Sequence, residues 1–189
     1  MTGRRLILHM SMSLDGFVAD GDGVIDWLAP ADGRLPDYGE QRHRINLELL
    51  SQIGTIVLGR GAYEEMYRGW SGSDNPMAQL MNSLPKVVFS QSLPGVEWSN
   101  ARLTRRALRE EIPELKGQEG GDIVVFGGAR IAQSLIRERL VDECRLTVHP
   151  VALGEGLALL PGLPEPRRFE MVSATAYADG CVSHVLRPA

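Results

Sequence analysis

Two segments of the sequence share one design, a short apolar run followed by glycine and then a run with helical spacing. They are Thr55–Leu58 leading into Gly59-Arg60-Gly61, and Ile123–Phe126 leading into Gly127-Gly128-Ala129-Arg130-Ile131. Glycine lets backbone come close to a ligand, and the helix that follows turns its unsatisfied N–H groups and positive dipole end toward the same spot. Arg60 and Arg130 each add a guanidinium, which can grip a phosphate through two parallel donors. Two such turns on one sheet suit the two ends of a pyrophosphate-containing dinucleotide. Either turn alone is equally consistent with an ordinary strand-to-helix connection, where glycine is common. Neither is a GxGxxG fingerprint or a Walker loop. A third place lies between them: Lys86–Ser90 runs into Ser90-Gln91-Ser92. Ligands of parallel sheets bind beyond C-terminal strand ends, so these small polar residues are either sugar or phosphate contacts or simple turn formers.

Other side chains carry weaker signals. Asp15-Gly16 follows the first apolar run; it is a turn, or its carboxylate orders a loop over the site or reaches the substrate. Trp27 lies in a long loop and either walls a pocket against water or anchors the loop on the core. Tyr63 and Trp70 read as core or pocket-rim residues. Cys144 and Cys181 sit in apolar strand-like runs and read as buried thiols. None of His9, His43, His149 and His184 pairs with a cysteine or a second histidine at metal-ligand spacing, so no metal site is expected.

The elements that must position these residues alternate. Arg4–Ser13 reads as a strand, followed by a loop punctuated by Gly21, Gly23, Pro30, Gly33 and Pro36. Asp37 and Glu40 form a capping-box start for a helix ending at Gly54. Then come a strand at Thr55–Leu58, a helix at Ala62–Tyr67, a helical turn within Met77–Ser83 and a strand at Lys86–Ser90. A helix follows at Arg106–Lys116, bent or shortened by Pro113. A strand at Asp122–Phe126, a helix at Ala129–Arg139 and a strand at Glu143–His149 lead to the Gly/Pro-rich stretch Pro150–Pro166. Arg168–Tyr177 and Cys181–Leu186 alternate around Ala178-Asp179-Gly180, a hairpin signal. This order predicts a three-layer α/β domain over residues 1–189, its sheet mostly parallel with antiparallel C-terminal strands.

Composition agrees with one globular domain: 189 residues, 43% hydrophobic and 23% charged. Twenty Lys+Arg against 24 Asp+Glu leave a formal charge of −4, with no basic excess for a nucleic-acid backbone. No apolar run approaches a membrane span, and the basic-then-apolar start is interrupted at Asp15, so neither a membrane segment nor a signal peptide is expected and the reading is cytoplasmic.

Five stretches, SMSLDGFVA, LGRGAYEEM…W, KVVFSQSL, VFGGARIAQSLI and DECRLTVHPVALGEG, occur in that order. Together they resemble the dihydrofolate-reductase-like superfamily, in the branch of the C-terminal reductase domain of the riboflavin-biosynthesis deaminase/reductase and its stand-alone relatives. The resemblance implies NADPH as hydride donor. It places Gly59-Arg60-Gly61 at the adenosine-side phosphates, and Ser90 and Gln91 along the adenine ribose and its 2′-phosphate. Gly127, Gly128, Ala129, Arg130 and Ile131 would cradle the pyrophosphate, and Ser11–Gly16 would border the nicotinamide. Where the family often has threonine, this chain has Ala62. Dihydrofolate reductases carry an acid on the helix after the first loop; the matching turn here holds Glu40, His43 and Arg44, while Asp32 lies too far upstream. The resemblance thus implies an NADPH-dependent reductase of a small pterin-like or pyrimidine-like heterocycle. Asp15, Glu40 and His43 are its candidate catalytic residues and Trp27 a candidate substrate contact. A non-catalytic nucleotide-binding or regulatory module on the same fold is the alternative. A homodimer through Glu143–His149 and the terminal hairpin, taken to lie at the sheet edge with Leu146, Val148, Val182 and Val185 outward, completes the expectations.

Overall fold

A computed structural model describes residues 3–28 and 39–189. The chain runs β1 (Leu6–Met12), β2 (Phe17–Ala19), α1 (Gly39–Ser51), β3 (Ile53–Gly59), α2 (Arg60–Trp70), α3 (Pro76–Ser83), β4 (Lys86–Phe89), β5 (Ala101–Thr104), α4 (Leu108–Gly117), β6 (Asp122–Phe126), α5 (Ala129–Arg137), β7 (Glu143–Val148), β8 (Leu157–Ala158), β9 (Phe169–Ala176) and β10 (Val182–Pro188). Eight strands form one sheet in the order β5-β4-β3-β6-β1-β7-β10-β9. The first six in that order are parallel, and β10 runs antiparallel to both β7 and β9. β2 and β8 form a separate antiparallel pair.

Side-chain alternation along the strands sorts the core into two layers. Leu6, Leu8 and Met10 of β1, with Val57, Ile123 and Val125, pack against Ile112 and Leu115 of α4 and Ile131, Leu135 and Ile136 of α5. The residues between them, Ile7, Ile56, Leu58 and Val124, face the other way onto Leu49 and Leu50 of α1, Ala62 and Tyr63 of α2 and Met81 of α3. Helices therefore cover both faces of the sheet, as expected of parallel strands buried on both sides.

Several local readings are corrected. The helix expected to end at Gly54 stops at Ser51, and Gly54 lies inside β3. Only Gly59 precedes α2; Arg60 and Gly61 already belong to the helix. Met77–Ser83 is part of an eight-residue helix whose N-cap Asn75 accepts the Ala78 N–H at 2.8 Å. Pro113 sits inside α4 without ending it. Edge strand β5 and the pair β2–β8 were not expected; at two to four residues, they are too short for a clear alternation. β7 is not an edge: it is paired with β1 and β10, Leu146 is buried, and Val148, Val182 and Val185 are half-buried. The open edge on that side is β9.

The N-terminal ends of the parallel strands are tied by charge. Glu143, 1% exposed, accepts from Arg5, Arg145 and Arg187 at 2.8–3.2 Å, while Arg5 also pairs with Asp122 at 2.5 Å. Burial pushes the Glu143 carboxyl up, but the bonds from Arg145 and Arg187 outweigh it and hold the group below the usual carboxylate range. Elsewhere, fully buried Lys86 donates to the carbonyls of Asn82 in α3, Leu84 just past it and Ser99 before β5, and lies over the Trp98 ring; burial pushes it down to about 8.

Because the Glu143 carboxyl is more acidic folded than unfolded, its contribution is present above the ordinary carboxylate range and is lost as pH falls through its lowered value. Glu143→Gln should cost about 2 kcal/mol near pH 7, less than a fully buried pair because the arginines reach solvent. Urea unfolding should show the gap between variant and parent closing in acid.

Candidate active site

The C-terminal ends of β1, β3 and β6 open into a cleft of about 860 Å³. Its walls carry Gly59, Arg60, Gly61 and Ala62 from the start of α2, and Gly127, Gly128, Ala129, Arg130 and Ile131 from the start of α5. Since β3 and β6 are neighbours, the two glycine turns seen in the sequence stand side by side on one site. Neither helix start is capped by a side chain; Gly59 and Gly128 occupy the cap positions. Gly127 and Gly128 have φ of +78° and +86°, the left-handed region that L side chains avoid. A Cβ on Gly128 would stand 3.1 Å from Ile131 Cγ2, and one on Gly59 would stand 3.3 Å from the same atom. The first amides of both helices have no partner within their helix and are directed at the cleft end.

Arg60 leans from α2 toward the next strand end. Its Nε donates to Glu64 at 2.8 Å and its Nη1 to Ser92 Oγ at 3.0 Å. In that turn Ser90 Oγ accepts the N–H groups of Ser92 and Leu93, and Gln91 Nε2 donates to the Arg105 carbonyl at 2.9 Å. Ser90 and Gln91 border a second cleft of about 440 Å³, together with Arg106 and Arg109. The Arg60 guanidinium thus joins two of the three segments, the start of α2 and the Ser90–Ser92 turn, while Gly127–Ile131 meets the first across the main cleft.

A flap covers the other end of the main cleft. β2 pairs with β8, and Val18, Ala19 and Leu157 from this pair line the cavity. Asp15 secures the flap rather than lining the cleft. Its carboxylate accepts the Ser13 hydroxyl at 2.6 Å and the amides of Leu153 and Gly154, the latter at 2.7 Å. The Ser13 hydroxyl, then the Gly154 amide, hold its carboxyl down to about 2. Trp27 does not line the cleft either, although Ile25 and Leu28 on either side do. Its ring stands edge-on to His149 with centroids 5.6 Å apart, which is the anchoring role. Glu40 and His43 belong to α1 by backbone, but their side chains lie outside the described residues, as does Asp37.

On the cleft floor, Ser11 is the first residue of the Ser11–Gly16 segment expected at the nicotinamide, whereas His9 and His149 carried no site expectation. His9 and Ser11 line the cavity from β1, with His9 edge-on to Phe126 at 5.4 Å. Ser11 Oγ is 3.0 Å from Nε2 of buried His149. Their signal was the alternation itself, since His9 and Ser11 continue the face begun by Ile7, where a helix-covered strand should stay apolar. Among the described residues no group of three or more His, Cys, Asp or Glu is placed to hold a metal, and no helix is long and apolar enough to cross a membrane.

A parallel sheet flanked by helices, closed by antiparallel strands and carrying paired glycine turns at one cleft, defines a dihydrofolate-reductase-like α/β protein. The chain belongs to the RibD C-terminal domain family, whose model matches residues 4–183. It is 32% identical to the uncharacterized protein YyaP of Bacillus subtilis (strain 168) over 187 residues, covering 96% of this chain and 94% of that one. The crystal structure of the Thermotoga maritima diaminohydroxyphosphoribosylaminopyrimidine deaminase/5-amino-6-(5-phosphoribosylamino)uracil reductase superposes with a TM-score of 0.68 at 15% identity, over 99% of this chain and 57% of that one. Dihydrofolate reductase from Enterococcus faecalis, solved with NADP(H), superposes with a TM-score of 0.64 at 18% identity, over 97% and 96% of the two chains.

Removing the Asp15 carboxylate should release the flap. In Asp15→Ala the amides of Leu153 and Gly154 should exchange with solvent faster than in the parent, while β1 and β6 amides stay protected. The parent's latch should persist through mild acid and fail only as pH falls through about 2. Unchanged Leu153 and Gly154 exchange in Asp15→Ala would show that the carboxylate holds nothing.

Proposed function

We propose that this chain is an NADPH-dependent reductase of a small pterin-like or pyrimidine-like heterocycle. The observation that carries the reading is the meeting of two uncapped helix starts at Gly59 and Gly128, in a space that a Cβ at either position would fill. That cradle fits the pyrophosphate of a dinucleotide, with Gly127, Gly128, Ala129, Arg130 and Ile131 on one side and Gly59, Arg60 and Gly61 on the other. Ser90 and Gln91 take the ribose and 2′-phosphate, and the Arg60–Ser92 bond supports bringing the guanidinium to that turn. Ala62 offers no hydroxyl, so backbone and Arg60 carry the binding. When bound, NADPH supplies the hydride. The protein orients the reactants and excludes water with the apolar flap of Val18, Ala19 and Leu157. Membership in the RibD C-terminal domain family and the names of the superposed reductases support both the reductase reading and its substrate class.

A charge-assisted arginine–phosphate contact is worth about 1.5–3 kcal/mol, or roughly ten- to a hundredfold in affinity. NADPH should therefore bind more tightly than NADH, and Arg60→Ala should weaken NADPH by about that factor while sparing NADH. Isothermal titration decides it: equal losses for both cofactors would assign Arg60 to the shared pyrophosphate instead.

We also propose a homodimer, now through β9 rather than β7. β9 is the open edge beyond β10, and Met171 and Val172 on it are 55% and 50% exposed. A two-fold axis beside β9 would pair the same strand from two copies and satisfy its edge. Light scattering should give about twice the 20.7 kDa chain mass, and Val172→Lys should return it to one.

A further inference from the structure

Hydride transfer to a C=N or C=O carbon needs a proton on the adjoining heteroatom, and neither Asp15 nor Trp27 reaches the cleft. The floor holds another candidate. Ser11 lines the cavity at the C-terminal part of β1, half-buried. Behind it, His149 is 7% exposed, with Nε2 at 3.0 Å from Ser11 Oγ and Nδ1 at 3.4 Å from Cys181 Sγ. The Trp27 ring packs against the imidazole. Ser11 is in register with Thr147 on β7, and Thr147 with Ser183 on β10, whose hydroxyl oxygens lie 2.8 Å apart. Residues in register share a face, so a polar row crosses the sheet from the cleft.

We infer that Ser11 is the proton donor of this site and that His149 recharges it, a role resting on the reductase reading above. With Cys181 at Nδ1, the other ring nitrogen is turned to Ser11, so a proton on Nε2 is directed at Ser11 Oγ and the Ser11 hydroxyl hydrogen can point into the cleft. In the step, the accepting carbon of the C=N bond gains a hydride, whose two electrons form the new C–H bond. The C=N π pair becomes an N–H bond as the Ser11 proton moves to nitrogen. The Nε2 proton of the His149 imidazolium passes to Ser11 Oγ in the same movement, so no alkoxide is left. His149 ends neutral and regains its proton from solvent between turnovers. The accepting carbon is thereby double-bonded to a basic nitrogen, either within a reduced pterin-like ring or in the open-chain imine of a glycosylamine on a pyrimidine.

The test uses the full chain, two acceptors and one binding probe. The acceptors are 5-amino-6-(5-phosphoribosylamino)uracil and 7,8-dihydrofolate, followed by NADPH oxidation. The probe is 2,4-diamino-6,7-dimethylpteridine, added to the NADP⁺-loaded protein at a pH above its own pKa, where its ultraviolet spectrum reports protonation. In the parent, one acceptor should turn over and the probe should bind protonated. Ser11→Ala should lose about 10²–10⁴-fold in kcat, the usual worth of a general acid, with KM and NADPH affinity nearly unchanged and the probe bound unprotonated. Ser11→Thr, which keeps the hydroxyl, should recover most of the rate, and His149→Gln should behave like Ser11→Ala. Retained kcat and a protonated probe in Ser11→Ala would overturn the relay alone. A parent that neither turns over an acceptor nor binds the probe would overturn the heterocycle-reductase reading, and the relay with it.

Discussion

The site depends on the absence of two methyl groups. At Gly59 and Gly128, an added Cβ would press on the same atom, Ile131 Cγ2. Ile131 is a core residue, packed with Leu135 and Ile136 against β3 and β6. Because the glycines leave it room, α5 can sit tight on the sheet while its first turn stands beside that of α2. Two partial positive charges then face one cleft, where a single helix start would offer a weaker and less directional field. Core packing and the approach of the two helix starts are here one contact seen from two sides.

The sheet divides its labour along the strand direction. At the N-terminal ends, Glu143, Asp122 and their arginines tie β1, β6, β7 and β10 together by charge. At the C-terminal ends the amides of two helix starts have no partner within their helices, while Ser90, Gln91 and Ser11 are held in place by bonds to neighbouring turns and to His149. A stable end allows the other to keep unsatisfied donors, an arrangement that would otherwise cost stability without return. The flap follows the same logic. It is held by the carboxylate of Asp15 and a two-rung ladder, ties that can open without disturbing the main sheet.

What the sequence by itself determined is local. The apolar runs of β1, β3, β6 and β7 and the glycines before α2 and α5 were legible because both are short-range properties. A buried strand must be apolar, and a tight strand-to-helix turn must tolerate positive φ or close approach. The hairpin at Asp179-Gly180 was legible for the same reason, and Gly180 indeed has a φ of +84°. The alternation of strands and helices carried the fold class, because each helix between parallel strands must cross over a face of the sheet, and the five ordered motifs carried the family resemblance. β5, β2 and β8 were not legible, since strands of two to four residues show no clear alternation, and β2 and β8 gain their strand character from each other far along the chain.

Only the tertiary structure decided which residues share the site. Ser11 and His149 are 138 positions apart and meet because β7 lies beside β1, a neighbour relation that no local pattern encodes. Likewise Asp15, a plausible acid in one dimension, is turned by its own tight loop toward the Leu153 and Gly154 amides and away from the cleft. Strand order also moved the open edge from β7 to β9, because β10 inserts between them. Local chemistry specifies the elements through sterics and burial; the long-range pairing of strands selects which polar side chains face one another.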